Sequence, residues 1–382
     1  MANWIVEKLR GLWLPLRDWV QQGWQALRER WQPESAVRTA GGRYRTDELG
    51  YAGELEVVSG ATAWADALLQ AAQRAVDNRQ PAGRSHARRS TAGRYLWSRS
   101  RDYRVYTPKN YRAEEALPLL VVLHGCRQTQ HDICAISGFD RIADRERFIV
   151  VYPFVTGYLT PRNRNCWGWW MSIHIRAGGG EVQDVRRIIE QTRHEFSVDP
   201  QRIHITGLSS GAAMSVAALV AHGSLFASGA SVAGIAYGES ARAVRISRWL
   251  NIRYRSLQET TAAMRAQLQA SGQLAPLLVV QSQADQVVEA QAGINLRDSW
   301  LAVKALPATA SLEFSDNTRG FAWNYAQYGE PGSRASVGWL TVEGVAHGWI
   351  GGHAGEYSDP RGPNLSEIIW LFCQCHPRVH GE

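Results

Sequence analysis

Lysine is almost absent from this chain of 382 residues. Arginine supplies nearly all of the 42 basic side chains, and the lysines are Lys8, Lys109 and Lys304. The chain also lacks an uncharged apolar run of about 20 residues, which a membrane-spanning helix needs. Five cysteines are too few, and odd in number, for a disulfide-rich scaffold. These absences argue against a membrane-spanning protein and a small disulfide scaffold, and they favour a large globular protein.

The net charge of +7 is placed unevenly along the chain. The first 110 residues hold 18 Lys+Arg against 11 Asp+Glu, and the remainder holds 24 of each. A basic segment of this kind is either a solvated linker or a surface for an anionic partner. Basic clusters such as residues 84–89 lack interleaved aromatic side chains. We therefore expect no nucleic-acid binding.

Signals for cofactors and metals are also missing. The glycine run at residues 178–180 has neither the spacing nor the preceding strand of a dinucleotide-binding loop. Cys373, Cys375 and His376 stand close together, but no second ligand cluster accompanies them. We interpret these cysteines as structural, and we expect neither a metal nor a cofactor.

Tryptophan is abundant, and it is concentrated near the N-terminus. Of the 16 tryptophans, five fall within residues 4–31, which Gly11 and Pro15 divide into two helical pieces; in the second piece Trp19, Trp24 and Trp31 stand at helical spacing opposite a charged face. Residues 1–32 are therefore predicted to form an amphipathic helical segment. It either packs on its own protein or a partner, or lies on a granule or membrane surface. Because Glu7, Lys8 and Arg10 interrupt any secretory signal, we expect a cytoplasmic protein.

Two further segments follow. Residues 33–92, rich in Gly, Arg and Ser, are predicted to form a linker with one helix from Thr62 to Asp77. From residue 93 to 382 short apolar strands alternate with helical patterns, as in Leu119–Leu123, Val182–Glu195 and Leu277–Gln281. This alternation predicts an α/β domain with a mostly parallel sheet covered by helices on both faces.

The most informative motif is a G-x-S-x-G sequence between a predicted strand and a predicted helix. Gly207 and Gly211 flank Ser209 where a strand-to-helix turn would crowd side chains. Such a turn exposes its serine as a nucleophile. A serine alcohol needs a histidine to accept its proton and a carboxylate to orient that histidine. Ser209 is therefore the predicted nucleophile.

Suitable partners follow Ser209 in the order typical of α/β-hydrolases. Asp285 comes directly after the strand at residues 277–281, with Asp298 and Asp316 as alternatives. His347 follows the last predicted strand among small residues, with His353 as its alternative. Loops at the carboxyl ends of parallel strands build the sites of such sheets. The sequence therefore predicts a catalytic triad of Ser209, Asp285 and His347.

Acyl transfer also requires backbone N–H groups that stabilise the developing oxyanion. We predict that the amide of Ser210, next to the nucleophile, is one donor. The amide of Cys126, after the strand at residues 119–123, is the other. The side chain of Cys126 either forms a disulfide with Cys166 or remains a buried thiol.

Several of these motifs occur together. Leu123-His124-Gly125-Cys126 with Gln128, Asn165-Cys166-Trp167, Gly207-Leu208-Ser209-Ser210-Gly211 and Gly344-Val345-Ala346-His347-Gly348-Trp349 stand in one order along the chain. In this, residues 118–352 resemble the polyhydroxyalkanoate (PHB) depolymerase family of α/β-hydrolase esterases. One departure from the family is Ser210, which stands where an alanine is usual.

The resemblance implies serine-esterase chemistry on short-chain hydroxyalkanoate polymers or oligomers. Feruloyl and acetylxylan esterases are relatives of that family, and they supply the alternative substrates. A protein of another class, a non-catalytic coat of granules or membranes, is the remaining hypothesis. Trp167, Trp169 and Trp349 lie in or beside the motifs, and each is either a core side chain or an apolar wall for the acyl group.

Overall fold

The computed structural model describes residues 61–155, 164–245, 251–329 and 336–378. The helices in this part of the chain are α1 (Ala61–Gln73), α2 (Gln130–Ser137), α3 (Phe139–Glu146), α4 (Ser172–Ile175), α5 (Gly180–Glu195), α6 (Ser210–Ala221), α7 (Leu257–Ser271), α8 (Ala290–Lys304) and α9 (Leu365–Gln374). The strands are β1 (Arg84–Ser90), β2 (Arg101–Thr107), β3 (Leu117–Leu123), β4 (Ile149–Pro153), β5 (Val198–Leu208), β6 (Ser228–Val232), β7 (Leu277–Ser282), β8 (Leu312–Thr318), β9 (Phe321–Tyr328), β10 (Val337–Val342), β11 (Trp349–Ile350) and β12 (Ser358–Asp359).

One mixed sheet organises the described residues. Its ten strands lie in the order β1-β2-β4-β3-β5-β6-β7-β10-β9-β8. The central strands β4, β3, β5, β6, β7 and β10 are parallel to their neighbours in this series. Antiparallel pairs, β1 with β2 and β9 with β8, close the two edges. The predicted α/β fold with a mostly parallel sheet is confirmed.

Helices cover both faces of this sheet because the central strands are apolar on both faces. In β3, Leu120 and Val122 belong to one buried cluster, whereas Leu119 and Val121 belong to the other. The first cluster includes buried side chains of α1, α2, α3 and α9. The second includes side chains of α5, α7 and α8 and most of the apolar side chains of α6. Successive side chains of a strand point to opposite faces of the sheet, so each buried strand contributes to both clusters.

The α/β unit begins earlier than the expected boundary at residue 93. The predicted helix in the linker is present as α1, and its Trp64 donates a hydrogen bond to the Tyr325 hydroxyl at 3.2 Å. Strand β1 pairs along its whole length with β2, from Arg84 opposite Thr107 to Ser90 opposite Arg101. Residues 61–92 therefore belong to the same compact unit as the sheet. The predicted amphipathic segment 1–32 and the first part of the linker lie outside the described residues.

No helix in the described ranges has both the length and the apolar character required to cross a bilayer.

Candidate active site

Ser209 occupies a sharp turn between β5 and α6. Its backbone has φ 55° and ψ −116°, an unusual conformation for a residue other than glycine. A Cβ atom at Gly207 would lie 2.6 Å from the Gly211 carbonyl carbon, and one at Gly211 would lie 2.3 Å from the Leu123 carbonyl oxygen. Only glycine fits at both positions. The turn leaves Ser209 partly exposed, as a nucleophile requires.

The proposed acid and base are joined directly. Nδ1 of His347 lies 2.7 Å from Oδ2 of Asp285. The other carboxylate oxygen, Oδ1, accepts hydrogen bonds from the backbone N–H groups of Val287 at 2.8 Å and Val288 at 2.9 Å. The carboxylate is fully buried, and 10% of the His347 side chain is exposed. Asp285 thus fixes the His347 ring and leaves its Nε2 available to accept a proton.

The alternative acids and histidine lie elsewhere. Asp298 pairs with Arg297 on α8, and Asp316 on β8 accepts a hydrogen bond from Thr318. The imidazole of His353 lies against Gly138, at the junction of α2 and α3. The structure therefore brings Asp285, and neither alternative acid, to His347.

The parallel strands bring Ser209, Asp285 and His347 to the same end of the sheet, the end at which these strands have their carboxyl termini. At this end, backbone hydrogen bonds of 2.9 Å connect neighbouring strands: Ser209 donates to Val232, Ala233 donates to Val280, and Gln283 donates to Val342. In sequence these strands are far apart, but they are neighbours in the sheet. Their carboxyl ends form the crevice in which open α/β sheets bind ligands.

Two backbone N–H groups at this end of the sheet have no acceptor among the described residues. The N–H groups of Cys126 and Ser210 form no hydrogen bond with any described residue. A Cβ atom at Gly125 would lie 3.6 Å from the Ser209 Cβ, so the loop holding Cys126 borders the nucleophile. Ser210 is the first residue of α6, where N–H groups lack partners within the helix. Both groups are suited to bind an oxyanion.

Gln128 holds this loop in place, a role that the sequence did not reveal. Its side-chain oxygen accepts the N–H of Gly125 at 2.8 Å, and its own backbone N–H donates to the Gly125 carbonyl at 3.3 Å. Gln128 is 3% exposed. These bonds close a turn around Cys126. The motif contained Gln128, but only the fold gives the partner of its side chain.

The buried His124 ring connects the loop to the neighbouring strand. Burial lowers the pKa of this imidazole to about 4, so the ring is neutral at pH 7. Its Nδ1 donates to the Gly125 carbonyl at 2.8 Å, and its Nε2 accepts the N–H of Val155 at 3.2 Å. The two bonds determine which nitrogen carries the proton. His124 therefore stiffens the loop rather than transferring protons.

A disulfide between Cys126 and Cys166 ties the same loop to the tryptophan-rich segment. The N–H of Arg127 also donates to the carbonyl of Arg164, beside Cys166. The sequence left open a disulfide or two thiols, and the structure has the disulfide. The candidate oxyanion donor Cys126 is thus anchored to a segment 40 residues later in the chain.

The predicted roles of two tryptophans require a correction. Trp167 and Trp349 were expected to be candidate walls of the cleft, but both side chains are 0% exposed. The indole of Trp167 donates to the His124 carbonyl at 3.1 Å, and that of Trp349 donates to the Ser366 hydroxyl at 3.0 Å. Both satisfy their N–H groups inside the protein and act as core residues.

Trp169 and its neighbour Trp170 are placed differently. Trp169 is 6% exposed and packs in the same buried cluster as Leu208 and Ala213, on either side of the Ser209 turn. Trp170 is partly exposed, and the two rings meet edge to face with centroids 5.4 Å apart. Of the three predicted aromatic contacts, Trp169 is thus the one whose side chain keeps some exposed surface.

Comparison with known proteins agrees with this arrangement. The family model described as Esterase PHB depolymerase matches residues 101–319. Poly(3-hydroxyalkanoate) depolymerase C of Paucimonas lemoignei is 35% identical over 121 residues, which are 31% of this chain and 28% of that protein. An acetylxylan esterase of Coprinopsis cinerea is 34% identical over 136 residues, 35% of each chain. The match thus spans only about a third of these relatives.

Solved structures show the same fold at low sequence identity. An acetyl xylan esterase from Aspergillus awamori has a TM-score of 0.54 at 17% identity and covers 69% of this chain and 94% of that one. A mutant feruloyl esterase module from Clostridium thermocellum has a TM-score of 0.52 at 15% identity, covering 81% and 96%. The family model matches more than half of the sequence, and the chain therefore belongs to the Esterase PHB depolymerase family.

Proposed function

We propose that this protein is a serine carboxylic-ester hydrolase that works through an acyl-enzyme. One observation carries the proposal: the hydrogen-bonded pair of Asp285 and His347 lies at the carboxyl end of the sheet, where the Ser209 turn also lies. The unpaired N–H groups of Cys126 and Ser210 supply the second element that acyl transfer needs. A buried pair without a nucleophile turn, or a turn without the pair, would not support this chemistry.

In the first half of the reaction, the Ser209 hydroxyl oxygen attacks the ester carbonyl carbon. His347 Nε2 accepts the serine proton, and Asp285 stabilises the imidazolium that forms. The carbonyl oxygen becomes negatively charged and accepts hydrogen bonds from the Cys126 and Ser210 amides. The C–O bond to the leaving alcohol then breaks, and His347 returns the proton to that alcohol. The acyl group remains on Ser209.

In the second half, water replaces the alcohol. His347 removes a proton from the water as its oxygen attacks the acyl carbon. The same backbone amides bind the second oxyanion. As this intermediate collapses, the bond from the acyl carbon to Ser209 Oγ breaks, His347 returns its proton to Oγ, and the carboxylic acid is released. The residues that this cycle uses are all supplied by the chain.

The proposed substrate is a short-chain poly- or oligo-(3-hydroxyalkanoate). The family and the depolymerase of Paucimonas lemoignei support this choice. Esters of plant polysaccharides are the second candidate, because acetylxylan esterases are among the relatives that match at similar identity.

A substrate panel separates these candidates. Initial rates would be measured on 3-hydroxybutyrate oligomers, acetylated xylan and methyl ferulate, with p-nitrophenyl butyrate as a common reference. We expect the highest kcat/KM on the oligomers and no activity for Ser209→Ala on any substrate. A higher kcat/KM on acetylated xylan or methyl ferulate would replace the hydroxyalkanoate by that substrate while leaving the esterase chemistry intact.

The N-terminal segment bears on the location of the substrate. We propose that residues 1–32 attach the protein to a granule or membrane surface in the cytoplasm, since Trp19, Trp24 and Trp31 lie on the apolar face of the second predicted helical piece. Deleting residues 1–32 should abolish co-sedimentation with hydroxyalkanoate granules or lipid vesicles. Unchanged sedimentation would instead favour packing of this segment on the protein itself.

A further inference from the structure

A cluster of buried charges lies next to the tryptophan-rich segment (residues 166–170), outside the triad. It consists of Arg101, the first residue of β2, and of Glu181 and Asp184 in the first turns of α5; all three side chains are 0% exposed. Nε of Arg101 donates to Oδ2 of Asp184 at 2.7 Å, and its Nη2 lies 3.9 Å from Oε1 of Glu181. Charges without access to water are stable only when they are paired and hydrogen-bonded. Each carboxylate of this cluster therefore keeps a fixed position.

The two acids of the cluster hold different parts of the chain. Oδ1 of Asp184 accepts hydrogen bonds from the hydroxyl groups of Tyr95 at 2.6 Å and Ser98 at 2.9 Å, in the segment before β2. Oε2 of Glu181 instead accepts the backbone N–H of Gly168 at 2.6 Å, in the middle of the tryptophan-rich segment. Hydrogen bonds to an ionised carboxylate are shorter and stronger than those to a neutral acceptor. Glu181 thus anchors the tryptophan-rich segment to α5.

Trp167 lies between this cluster and the loop that holds Cys126. The guanidinium carbon of Arg101 is 5.7 Å from the centre of the Trp167 ring. On the loop side, the indole N–H of Trp167 donates to the His124 carbonyl at 3.1 Å, and the two ring centres are 5.6 Å apart. The disulfide connects Cys126 itself to the same segment. A displacement of Gly168 would therefore move both of the contacts that place the Cys126 N–H.

From these contacts we infer that Glu181 is a positioning residue for the candidate oxyanion donor Cys126, and that it acts through Gly168 and Trp167. The inference rests on the proposed esterase function. Backbone donors stabilise an oxyanion only at hydrogen-bond distance from its position in the transition state, and a shift of about 1 Å can cost up to 10²-fold in rate. Because its side chain has no exposed surface, Glu181 affects the reaction through this segment and not by touching the substrate.

A purely structural ion cluster would behave differently. Glu181 and Asp184 would then be equivalent, because each places one carboxylate beside Arg101, and the loss of either would lower stability alone. Positioning of Cys126 instead predicts that the two acids differ. Since Glu181 is bonded to the Gly168 N–H, its loss should lower kcat as well as stability.

Steady-state hydrolysis of p-nitrophenyl butyrate and thermal unfolding of full-length variants test the inference. In Glu181→Ala, we expect kcat to fall about tenfold and KM to change by less than about twofold, because the oxyanion is bound in the transition state. Glu181→Gln keeps a side-chain oxygen for the Gly168 N–H and should recover most of this loss. Asp184→Asn should lower the melting temperature and leave kcat unchanged at temperatures where it is folded. An unchanged kcat in folded Glu181→Ala, or an equal loss in Asp184→Asn, would overturn the inference.

Two further variants test the route from Glu181 to Cys126. Trp167→Phe keeps an aromatic ring but removes the N–H that bonds the His124 carbonyl, so kcat should fall with little change in KM; this variant decides the question if Glu181→Ala does not fold. Combining Glu181→Ala with Gln128→Ala should reduce kcat by less than the product of the two single effects, since both displace the same donor. An unchanged kcat in Trp167→Phe, or fully multiplicative effects, would contradict this route.

Hydrogen exchange separates this inference from the esterase proposal. In Glu181→Ala, the backbone amides of residues 124–128 should exchange faster than in the unsubstituted protein, whereas those of residues 95–99 should not. Asp184→Asn should show the reverse. Unchanged exchange at residues 124–128 would refute the role of Glu181 even if hydrolysis depends on Ser209. Hydrolysis that persists in Ser209→Ala would instead refute the esterase proposal, and the exchange rates would still show whether Glu181 holds the loop.

Discussion

Asp285 and His347 are 62 residues apart in the chain, yet Oδ2 of the carboxylate lies 2.7 Å from Nδ1 of the imidazole. The strands before them, β7 and β10, are adjacent and parallel, with Ser282 opposite Val342. The pairing of these two strands therefore delivers both residues to one position. The carboxylate is held in turn by two backbone N–H groups, so its orientation is fixed before any substrate arrives.

This relationship predicts the effect of Asp285→Asn. The amide can keep one acceptor for the Val287 and Val288 N–H groups, but it no longer accepts the Nδ1 proton with a full charge. The histidine then loses its required tautomer, and kcat should fall roughly 10²- to 10⁴-fold with little change in KM. Steady-state hydrolysis of p-nitrophenyl butyrate measures this. Asp298→Asn, which alters an aspartate paired with Arg297, should retain full activity.

Gln128 is predicted to position the oxyanion donors. Gln128→Ala removes the acceptor of the Gly125 N–H and loosens the turn around Cys126. We expect kcat to fall about 10- to 100-fold while KM stays nearly constant, because misplacing a donor affects the transition state more than substrate binding. A purely structural role would lower the melting temperature without this separation of kcat from KM.

Ser210→Ala is the matched control for this effect. Only the backbone N–H of Ser210 is assigned to the oxyanion, and its buried hydroxyl has no hydrogen-bond partner among the described residues. The variant should therefore keep its activity. A large loss of kcat in Ser210→Ala would mean that the hydroxyl participates in the reaction.

The disulfide next to the oxyanion donor should make activity sensitive to reduction. A dithiol reductant converts the Cys126–Cys166 bond into two thiols, and the reductant itself is oxidised to a cyclic disulfide. Since Cys126 then loses its tether, kcat should decrease several-fold. The double variant Cys126→Ser, Cys166→Ser should have this lower kcat without treatment and should not respond to the reductant. A variant that still responds would place the sensitivity at another cysteine.

His204 predicts a dependence of stability on pH. Burial, with smaller contributions from the charges of His376 and Arg202, lowers the pKa of this histidine to about 3. The unfolded chain therefore binds a proton between the ordinary histidine pKa and about 3, whereas the folded protein does not. Stability is complete above pH 6.5 and declines as the pH falls, by about 1.4 kcal/mol per pH unit for this residue.

Urea unfolding between pH 4 and pH 7 measures that decline. His204→Gln should reduce its slope by about one proton, leaving the comparable contributions of His124 and His222, whose pKa values burial lowers to about 4. His131→Gln, at an exposed position on α2, serves as the control and should leave the slope unchanged. An unchanged slope for His204→Gln would contradict the assignment of a neutral buried histidine.

Local patterns predicted the central sheet and the Ser209 turn because both arise from short-range constraints. The buried parallel strand β3 is apolar throughout and β7 begins with four apolar residues, and the glycines around Ser209 are required by atoms within a few ångströms. The order of acid and histidine followed from the arrangement typical of α/β-hydrolases. Their contact, however, depends on strands that are brought together only by the fold.

The edge strands were not predictable in the same way. Strand β1 contains Arg84, Arg88 and Arg89, with no apolar alternation, and its pairing with β2 uses backbone groups. Arg88 instead forms an ion pair with Glu195 on α5. Strand β8 alternates exposed and half-buried residues and was not among the strands that the sequence predicted. Edge strands carry polar side chains, which removes the signal that identified the centre of the sheet.

The prediction that Trp167 and Trp349 could line the cleft was wrong for a different reason. Trp349 is two residues from His347, but proximity in sequence does not determine the direction of a side chain. In β11 its indole points into the core, with the Phe139 ring 5.8 Å away and a hydrogen bond to Ser366. Composition identified an aromatic-rich region, and only the packing distinguished walls from core.

The central claim is that Ser209 is an activated nucleophile, and covalent labelling by a fluorophosphonate probe tests it most directly. We expect one label per chain, located by mass spectrometry on Ser209, and loss of both labelling and p-nitrophenyl butyrate hydrolysis in Ser209→Ala, with kcat reduced about 10⁴-fold or more. The circular dichroism spectrum of the variant should match that of the unsubstituted protein. Labelling at another residue, or hydrolysis retained in folded Ser209→Ala, would contradict the account.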